Sequence, residues 1–279
     1  MYILNLPIRF ARRRSGYISK RFGWRHTRTE MHPSLRSLVH RPWALPTGPG
    51  VMAQKWHDLL FAHWAVPTAL TRRLVPAKLE LDTFEGQAWL GIVPFTMSGV
   101  RLRGTPALPW LRAFPELNVR TYVTSGGKPG VWFFSLDAAN LLAVEIARWW
   151  FDLPYFHARI NSGAQSERIE YFSRRDDRRG GSEQLQASYS GKGPWFQAKR
   201  GTLQYFLTER YCLYAQRDNG KLLRGEIHHA PWKLQDAGVS FDVNTMTESL
   251  GIELSARPDQ LHFSKLQEMI AWAPQTVDL

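Results

Sequence analysis

The chain has 279 residues, 44% of them hydrophobic, enough for one large core without demanding a second domain. Its single cysteine, Cys212, excludes an internal disulfide framework and any cysteine-rich zinc site, and no apolar run approaches the eighteen or so residues needed to span a bilayer. The formal net charge is +12, yet residues 1–42 carry ten Lys/Arg against one acid, Glu30, leaving 26 against 23 for everything after them. The folded part is close to neutral and lacks the basic and aromatic alternation of single-strand binders, so nucleic acid is disfavoured as a partner.

In chain order, residues 1–36 read as a basic, acid-poor, disordered arm. A mis-assigned start, with translation beginning at Met31 or Met52, explains the arm best; a targeting segment explains it second. Arg41–Gly50 is too rich in proline and glycine for regular structure and reads as an extended lead-in. Met52 to Trp64 reads as a strand, with helix as its rival, and Pro67 opens a short helix that Pro76 stops. Leu81–Phe84, a Glu85-Gly86 turn and Ala88–Phe95 suggest a hairpin. A second hairpin joins Glu116–Val123 to Val131–Asp137 across a Gly-Gly-Lys-Pro-Gly turn, and Ala138–Trp150 follows with helical spacing of Leu141, Leu142, Val144, Ile146 and Trp149. Two more hairpins pair Arg168–Phe172 with Leu185–Tyr189, and Tyr211–Ala215 with Leu222–Ile227 across Asn219-Gly220. The fold class expected is α+β: a mostly antiparallel sheet with few helices, curled into a barrel-like form because strand-rich chains hide their edges by closure.

Several of these pieces, Glu116–Val123, Pro129–Ala138 and Phe151–Phe156 above all, resemble the YqjF-like family of domains of unknown function, which is grouped with the acetoacetate decarboxylase-like superfamily. His40–Trp43, Trp56–Trp64, Leu74–Phe95, Leu207–Ala215 and His228–Ala237 extend the resemblance, which runs from about Ser37 to the C-terminus. It implies one acetoacetate decarboxylase-like domain over residues 37–279, enclosing a pocket for a small organic acid or carbonyl compound. In the decarboxylases of that superfamily a helix ends in Gly-Arg-Glu-x-x-Gly-Phe-Pro-Lys-Lys, and one of the lysines forms a Schiff base with the substrate ketone. Aligned on the proline, Ala147-Arg148 stand on Gly-Arg, Leu153-Pro154 on Phe-Pro, and Tyr155-Phe156 where the lysines would be. Neither a phenol nor a benzyl group forms an imine, so that chemistry is not expected here. Lys192 and Lys199 are the amines to which the role would have to migrate.

Tyr155 is the residue left at that position, able to donate a hydrogen bond to a carbonyl oxygen, or else a core tyrosine bonded to a backbone carbonyl. Asn118 and Arg120 share one strand face with Tyr122, near where the superfamily's decarboxylases carry a pocket glutamate. Arg120 is a natural carboxylate clamp, or it pairs with an acid such as Glu116 at the surface. Glu209 and Tyr211 also share a face. If that face points inward, Glu209 is a carboxyl with a raised pKa fit for acid–base work, and a structural Glu–Arg pair is the competing reading. The expected site is therefore Tyr155 and Glu209 as catalytic groups, with Arg120, Asn118 and Tyr211 binding substrate. Trp89 and Trp132 are candidates to line an apolar pocket. The histidines do not meet metal-ligand spacings, no phosphate loop or nucleophile elbow is present, and neither cofactor nor metal is expected. A lysine-independent lyase-like or hydrolase-like enzyme competes with a non-catalytic ligand-binding or structural relative. A cytoplasmic location is expected, no membrane partner is expected, and a homo-oligomer is left open.

Overall fold

The computed structural model describes residues 32–105 and 113–277. Residues 1–31 of the expected arm lie outside the described residues; Pro33–Arg36, on the arm side of the expected boundary, form a 3-10 turn whose Ser34 is buried. Thirteen strands follow: β1 (Met52–Val66), β2 (Glu80–Leu81), β3 (Ala88–Leu102), β4 (Ala113–Ser125), β5 (Lys128–Ala138), β6 (Tyr155–Gln165), β7 (Arg168–Arg175), β8 (Gln184–Phe196), β9 (Cys212–Gln216), β10 (Leu222–His229), β11 (Leu234–Asn244), β12 (Gln260–Ala271) and β13 (Gln275–Thr276). The helices are α1 (Thr68–Leu74), α2 (Leu141–Phe151) and α3 (Leu203–Thr208). None among the described residues is long and apolar enough to cross a membrane.

The strands form one ring-like sheet that forks twice. β5 pairs in parallel with β6 through Leu136–Ala138 and with β9 through Val131 and Trp132. β12 pairs antiparallel with β11 near its start and with β10 near its end. Two circuits of pairing result. The smaller runs β1–β3–β4–β5–β9–β10–β12 and back to β1; the larger replaces β9 and β10 with β6, β7, β8 and β11. Strands β12, β1, β3, β4 and β5 belong to both.

Shared strands are covered on both faces, which is why their sequences read as nearly continuous apolar runs rather than alternating ones. Leu60, Ala62 and Trp64 of β1, Leu90 and Ile92 of β3, and Leu117 and Val119 of β4 point into the core of the larger circuit, with Tyr171, Ala187 and Tyr189. Leu59 and Phe61, Val93, Phe95 and Met97, and Phe114 point the other way, into the smaller circuit. Trp56 faces the smaller circuit too, although it is three residues from Leu59. Asp58 explains the change of phase: at φ 52° it is the extra residue of a β-bulge, and the β1–β3 register shifts beyond His57. Gly99, at φ 61° between Met97 and Val100, does the same for β3.

The hairpins over 116–137, 168–189 and 211–227 form as read from the sequence, and β1 is a strand throughout. The hairpin expected at Leu81–Phe95 does not form. Phe84 and Gln87 make only an isolated bridge around the Glu85-Gly86 turn, while β2 pairs with β4. Strands β6, β11 and β12 are additions to that reading: β11 and β12 pair at long range, and β6 closes a tight hairpin with β7 around Ser166-Glu167 where apolar alternation is weak.

Candidate functional site

The smaller circuit encloses a cavity of about 190 Å³. Its walls come from the inward faces of β1, β3, β4, β5, β9 and β10, with α2, Trp232 and Trp272 completing them. Most of that surface is apolar, and Trp56 stacks on Trp232 with ring centroids 5.9 Å apart. The polar exceptions are Gln54, Tyr155, Thr208, Arg210, Glu226 and His229 from several elements and a stripe of three on β4. Glu116, Asn118 and Arg120 stand at positions i, i+2 and i+4 of a strand whose register with β3 is unbroken, so all three face inward.

Glu116 is 2% exposed and has no cationic partner among the described residues. The Tyr155 hydroxyl donates to its Oε2 at 3.1 Å, and the Tyr171 hydroxyl donates to its backbone oxygen at 2.8 Å. Burial pushes the carboxyl up to about 8; the Tyr155 hydrogen bond pulls against that rise and nearby Asp137 adds to it. Glu116 is therefore a neutral carboxylic acid at pH 7. The Tyr155 phenol, buried and facing that carboxyl, is held well above the ordinary phenol range.

Arg120 lies 5.4 Å over the Phe61 ring and 5.8 Å over the Tyr122 ring, and one guanidinium nitrogen donates to the Leu207 carbonyl at 3.4 Å. No carboxylate meets it among the described residues, and its Nε is buried without a partner. Arg210, the other arginine in the wall, is bound to Asp82 at 2.5 Å. Glu226 is also committed: Arg41, Lys128 and the Trp43 indole nitrogen hold it. Burial works against its ionisation, but Lys128, Trp43 and Arg41 outweigh burial and keep its carboxyl below the usual range. Asn118 is 7% exposed with an unpartnered Oδ1. Arg120 and Asn118 are thus the uncommitted polar groups of this stripe. Behind Arg120, His63 Nε2 lies 2.6 Å from the Tyr122 hydroxyl, which donates to the Leu207 carbonyl at 2.7 Å. Burial, then Arg120 and His262, holds His63 well below its ordinary pKa, so the ring is neutral.

Of the residues anticipated from sequence, Tyr155, Asn118 and Arg120 line one cavity; Glu209 and Tyr211 do not. The Tyr211 hydroxyl donates to Glu209 Oε2 at 2.5 Å, and the Trp232 backbone N–H donates to Oε1 at 2.9 Å. Burial raises the Glu209 carboxyl while Tyr211 and the Trp232 amide pull it down. Both oxygens are occupied in tying α3 to the segment after β10, and the arginine of the competing reading, Arg210, bonds Asp82 instead. Glu116, considered as a surface partner for Arg120, is buried in the cavity wall. Its signal in the sequence was the same strand period that selected Asn118 and Arg120. Lys192 lies on β8 against Gly238, and no lysine lines the cavity among the described residues. Trp89 packs with Tyr122 and Leu207, and Trp132 points away from Val131 and Phe133; Trp56, Trp150, Trp232 and Trp272 are the wall tryptophans. His228 and His229 point apart, to the Ser34 and Arg210 carbonyls.

The ring-like β-sheet is of the acetoacetate decarboxylase-like kind of fold, and the cavity of its smaller circuit is lined by one buried acid without a cation, Glu116, and one arginine without an acid, Arg120, among the described residues. The chain belongs to the DUF2071 family, described as an uncharacterized conserved protein, whose model matches residues 53–268. It is 46% identical over 229 residues to the "Uncharacterized protein YqjF" of Bacillus subtilis (strain 168), covering 82% of this chain and 93% of that one. Among solved structures it resembles the enduracididine biosynthesis enzyme MppR complexed with pyruvate, at TM-score 0.58 and 12% identity over 85% of this chain and 93% of that one. It also resembles the acetoacetate decarboxylase of Legionella pneumophila, at TM-score 0.56 and 10% identity over 89% and 97% of the two chains. A third neighbour is an acetoacetate decarboxylase-like enzyme from Sphingomonas wittichii RW1, at TM-score 0.57 and 12% identity over 86% and 98%. At these identities the structural likeness establishes the fold.

Proposed function

We propose that the cavity binds a small organic acid or carbonyl compound and performs acid–base chemistry on it without an imine, Glu116 and Tyr155 acting as the proton-handling pair and Arg120 receiving the anionic group. The observation that carries this reading is Glu116. A carboxyl kept neutral near pH 7 in an apolar wall, with one oxygen held by a phenol, can give its proton to a carbonyl oxygen and, as the carboxylate this leaves, take the α-proton from carbon, so that the enol forms with the carboxyl again protonated; the reverse in D₂O returns deuterium to carbon. Arg120 supplies what a carboxylate would need, a half-buried guanidinium with no protein acid bound to it among the described residues. One fold neighbour was solved with pyruvate, a keto acid, which is the chemical class this arrangement suits. With phenylalanine and tyrosine where the resemblance would place lysines, the carbonyl is activated by hydrogen bonding rather than by a covalent amine.

The test is α-proton exchange. Pyruvate and acetoacetate are incubated with the protein in D₂O and followed by proton NMR. The reading expects exchange above the buffer rate, falling by about a hundredfold in Glu116→Gln, the size typical for loss of a general acid–base group. Binding without exchange supports the second reading, a ligand-binding relative without turnover, which draws on the lack of any lysine in the described wall. Failure to bind either acid while longer acids and neutral ketones also fail would refute both readings.

A further inference from the structure

His63 of β1, Gly91 of β3 and Arg120 of β4 lie side by side in register across three neighbouring strands. With no side chain at Gly91, the His63 ring has room over β3: a Cβ there would stand 2.9 Å from His63 Nε2 and 3.4 Å from Arg120 Cγ. Tyr122 follows Arg120 by two residues on the same face. Its hydroxyl lies 2.6 Å from His63 Nε2 and 2.7 Å from the Leu207 carbonyl oxygen. His63, Tyr122 and Leu207 are all fully buried. A phenol has one proton to give and a carbonyl oxygen has none, so the hydroxyl donates to Leu207 and His63 Nε2–H donates to the hydroxyl. The neutral state of the ring agrees with this, its bare Nδ1 being buried without a partner.

Leu207 thus offers its carbonyl to two donors of unequal reach. The Tyr122 hydroxyl takes it at 2.7 Å, whereas the Arg120 guanidinium stands off at 3.4 Å, beyond the roughly 2.7–3.2 Å of an ordinary N–H···O bond. The guanidinium rests instead over the Phe61 and Tyr122 rings, half-buried in the cavity wall. We propose that the Tyr122 hydroxyl, oriented by His63, is a positioning group: by occupying the Leu207 carbonyl it keeps Arg120 available to the carboxylate of the ligand. Without the hydroxyl, the guanidinium closes on that carbonyl in a charge-assisted bond and has to be drawn off it before it can meet an anion. The inference rests on the function proposed above and adds the residues that set the preference of the cavity for an acid over a neutral ketone of the same shape.

The probes are pyruvate and 3-methyl-2-butanone, its neutral counterpart with two methyl groups in place of the carboxylate oxygens. Affinities for the full chain are measured by ligand-observed proton NMR. In Tyr122→Phe the affinity for pyruvate should fall about fivefold or more while that for the ketone stays within about twofold, which also shows that the variant is folded. The loss has to pass through the arginine, so Tyr122→Phe made in an Arg120→Gln background should lower pyruvate affinity by less than about twofold further. His63→Leu keeps the hydroxyl but removes its donor, and should reduce the preference for pyruvate by about threefold; it carries the test if Tyr122→Phe does not fold. An equal loss for both probes, or a Tyr122→Phe effect undiminished beside Arg120→Gln, would make the hydroxyl a structural group and overturn the proposal. Pyruvate affinity that Tyr122→Phe leaves unchanged or raises would overturn it too. If the native chain binds pyruvate no more tightly than the ketone, or if Arg120→Gln alone leaves pyruvate affinity intact, the reading of Arg120 falls first and this inference falls with it.

Discussion

The Tyr155 hydroxyl donates to Oε2 of Glu116 at 3.1 Å, joining a residue at the start of β6 to one in the middle of β4. The contact exists because the loop after α2 returns the chain in parallel to β5, with Leu136 opposite Tyr155, and β5 in turn pairs Ala138 with Glu116. Two side chains 39 residues apart thus meet in an apolar wall; burial and the facing carboxyl hold the phenol protonated, and burial keeps Glu116 protonated although the phenol's hydrogen bond favours the ionised carboxyl.

Stability should fall as the pH rises past neutrality. The Glu116 carboxyl titrates at about 8 in the fold against 4.5 when unfolded, so the folded state holds a proton that the unfolded chain has released. Its contribution is complete below pH 4.5 and is lost as the pH climbs through 8. Asp137, raised to about 6 by burial despite Arg175, follows the same sign at lower pH and has largely finished titrating above neutrality. Between pH 6.5 and 8.5 the loss from Glu116 should be about 2 kcal/mol, or a Tm lower by roughly 5 °C. Calorimetry across that range should show this slope in the native chain and a flatter one in Glu116→Gln.

Tyr155→Phe removes the hydrogen bond that favours the ionised carboxyl, so the Glu116 pKa should rise further, not fall. Infrared difference spectra of the protonated carboxyl, followed with pH, measure this directly. The expected stability cost is about 1 kcal/mol, and α-proton exchange should slow if the pair works together.

Glu209→Ala should destabilise without touching the cavity. It leaves the buried Tyr211 hydroxyl and the Trp232 amide without acceptors, at a cost of about 2–4 kcal/mol. Affinity for pyruvate and acetoacetate should stay within about twofold. A large loss of affinity at unchanged stability would return Glu209 to the site.

Gly130→Ala tests the parallel step that closes the smaller circuit. A Cβ there would stand 2.7 Å from the Cys212 sulfur and 2.8 Å from the Cys212 carbonyl oxygen, and backbone cannot move aside as a side-chain tip can. The variant should lose about 2 kcal/mol or more in urea unfolding and should weaken binding of every cavity ligand alike.

Local chemistry in the sequence was sufficient for several short-range features, though not for the hairpin expected over 81–95 nor for the one β6 makes with β7. Glycine-rich turns set the hairpins over 116–137 and 211–227, Pro67 and Pro76 bracket α1, and the period of two on β4 places Asn118 and Arg120 on one face. The same period pointed to Glu116, but period alone does not say whether a face meets solvent, a core or a cavity. For β4 it meets two interiors, because β1, β3, β4 and β5 are shared by two circuits of pairing, and that sharing arises where β5 and β12 fork between partners far away in sequence. Glu209 and Tyr211 were equally well patterned and are spent on each other and on Trp232. Which acid is left unpaired in an apolar wall, and which arginine is left without an acid, depends on long-range pairing that burial enforces; only the tertiary structure could separate Glu116 from Glu209 and Arg120 from Arg210.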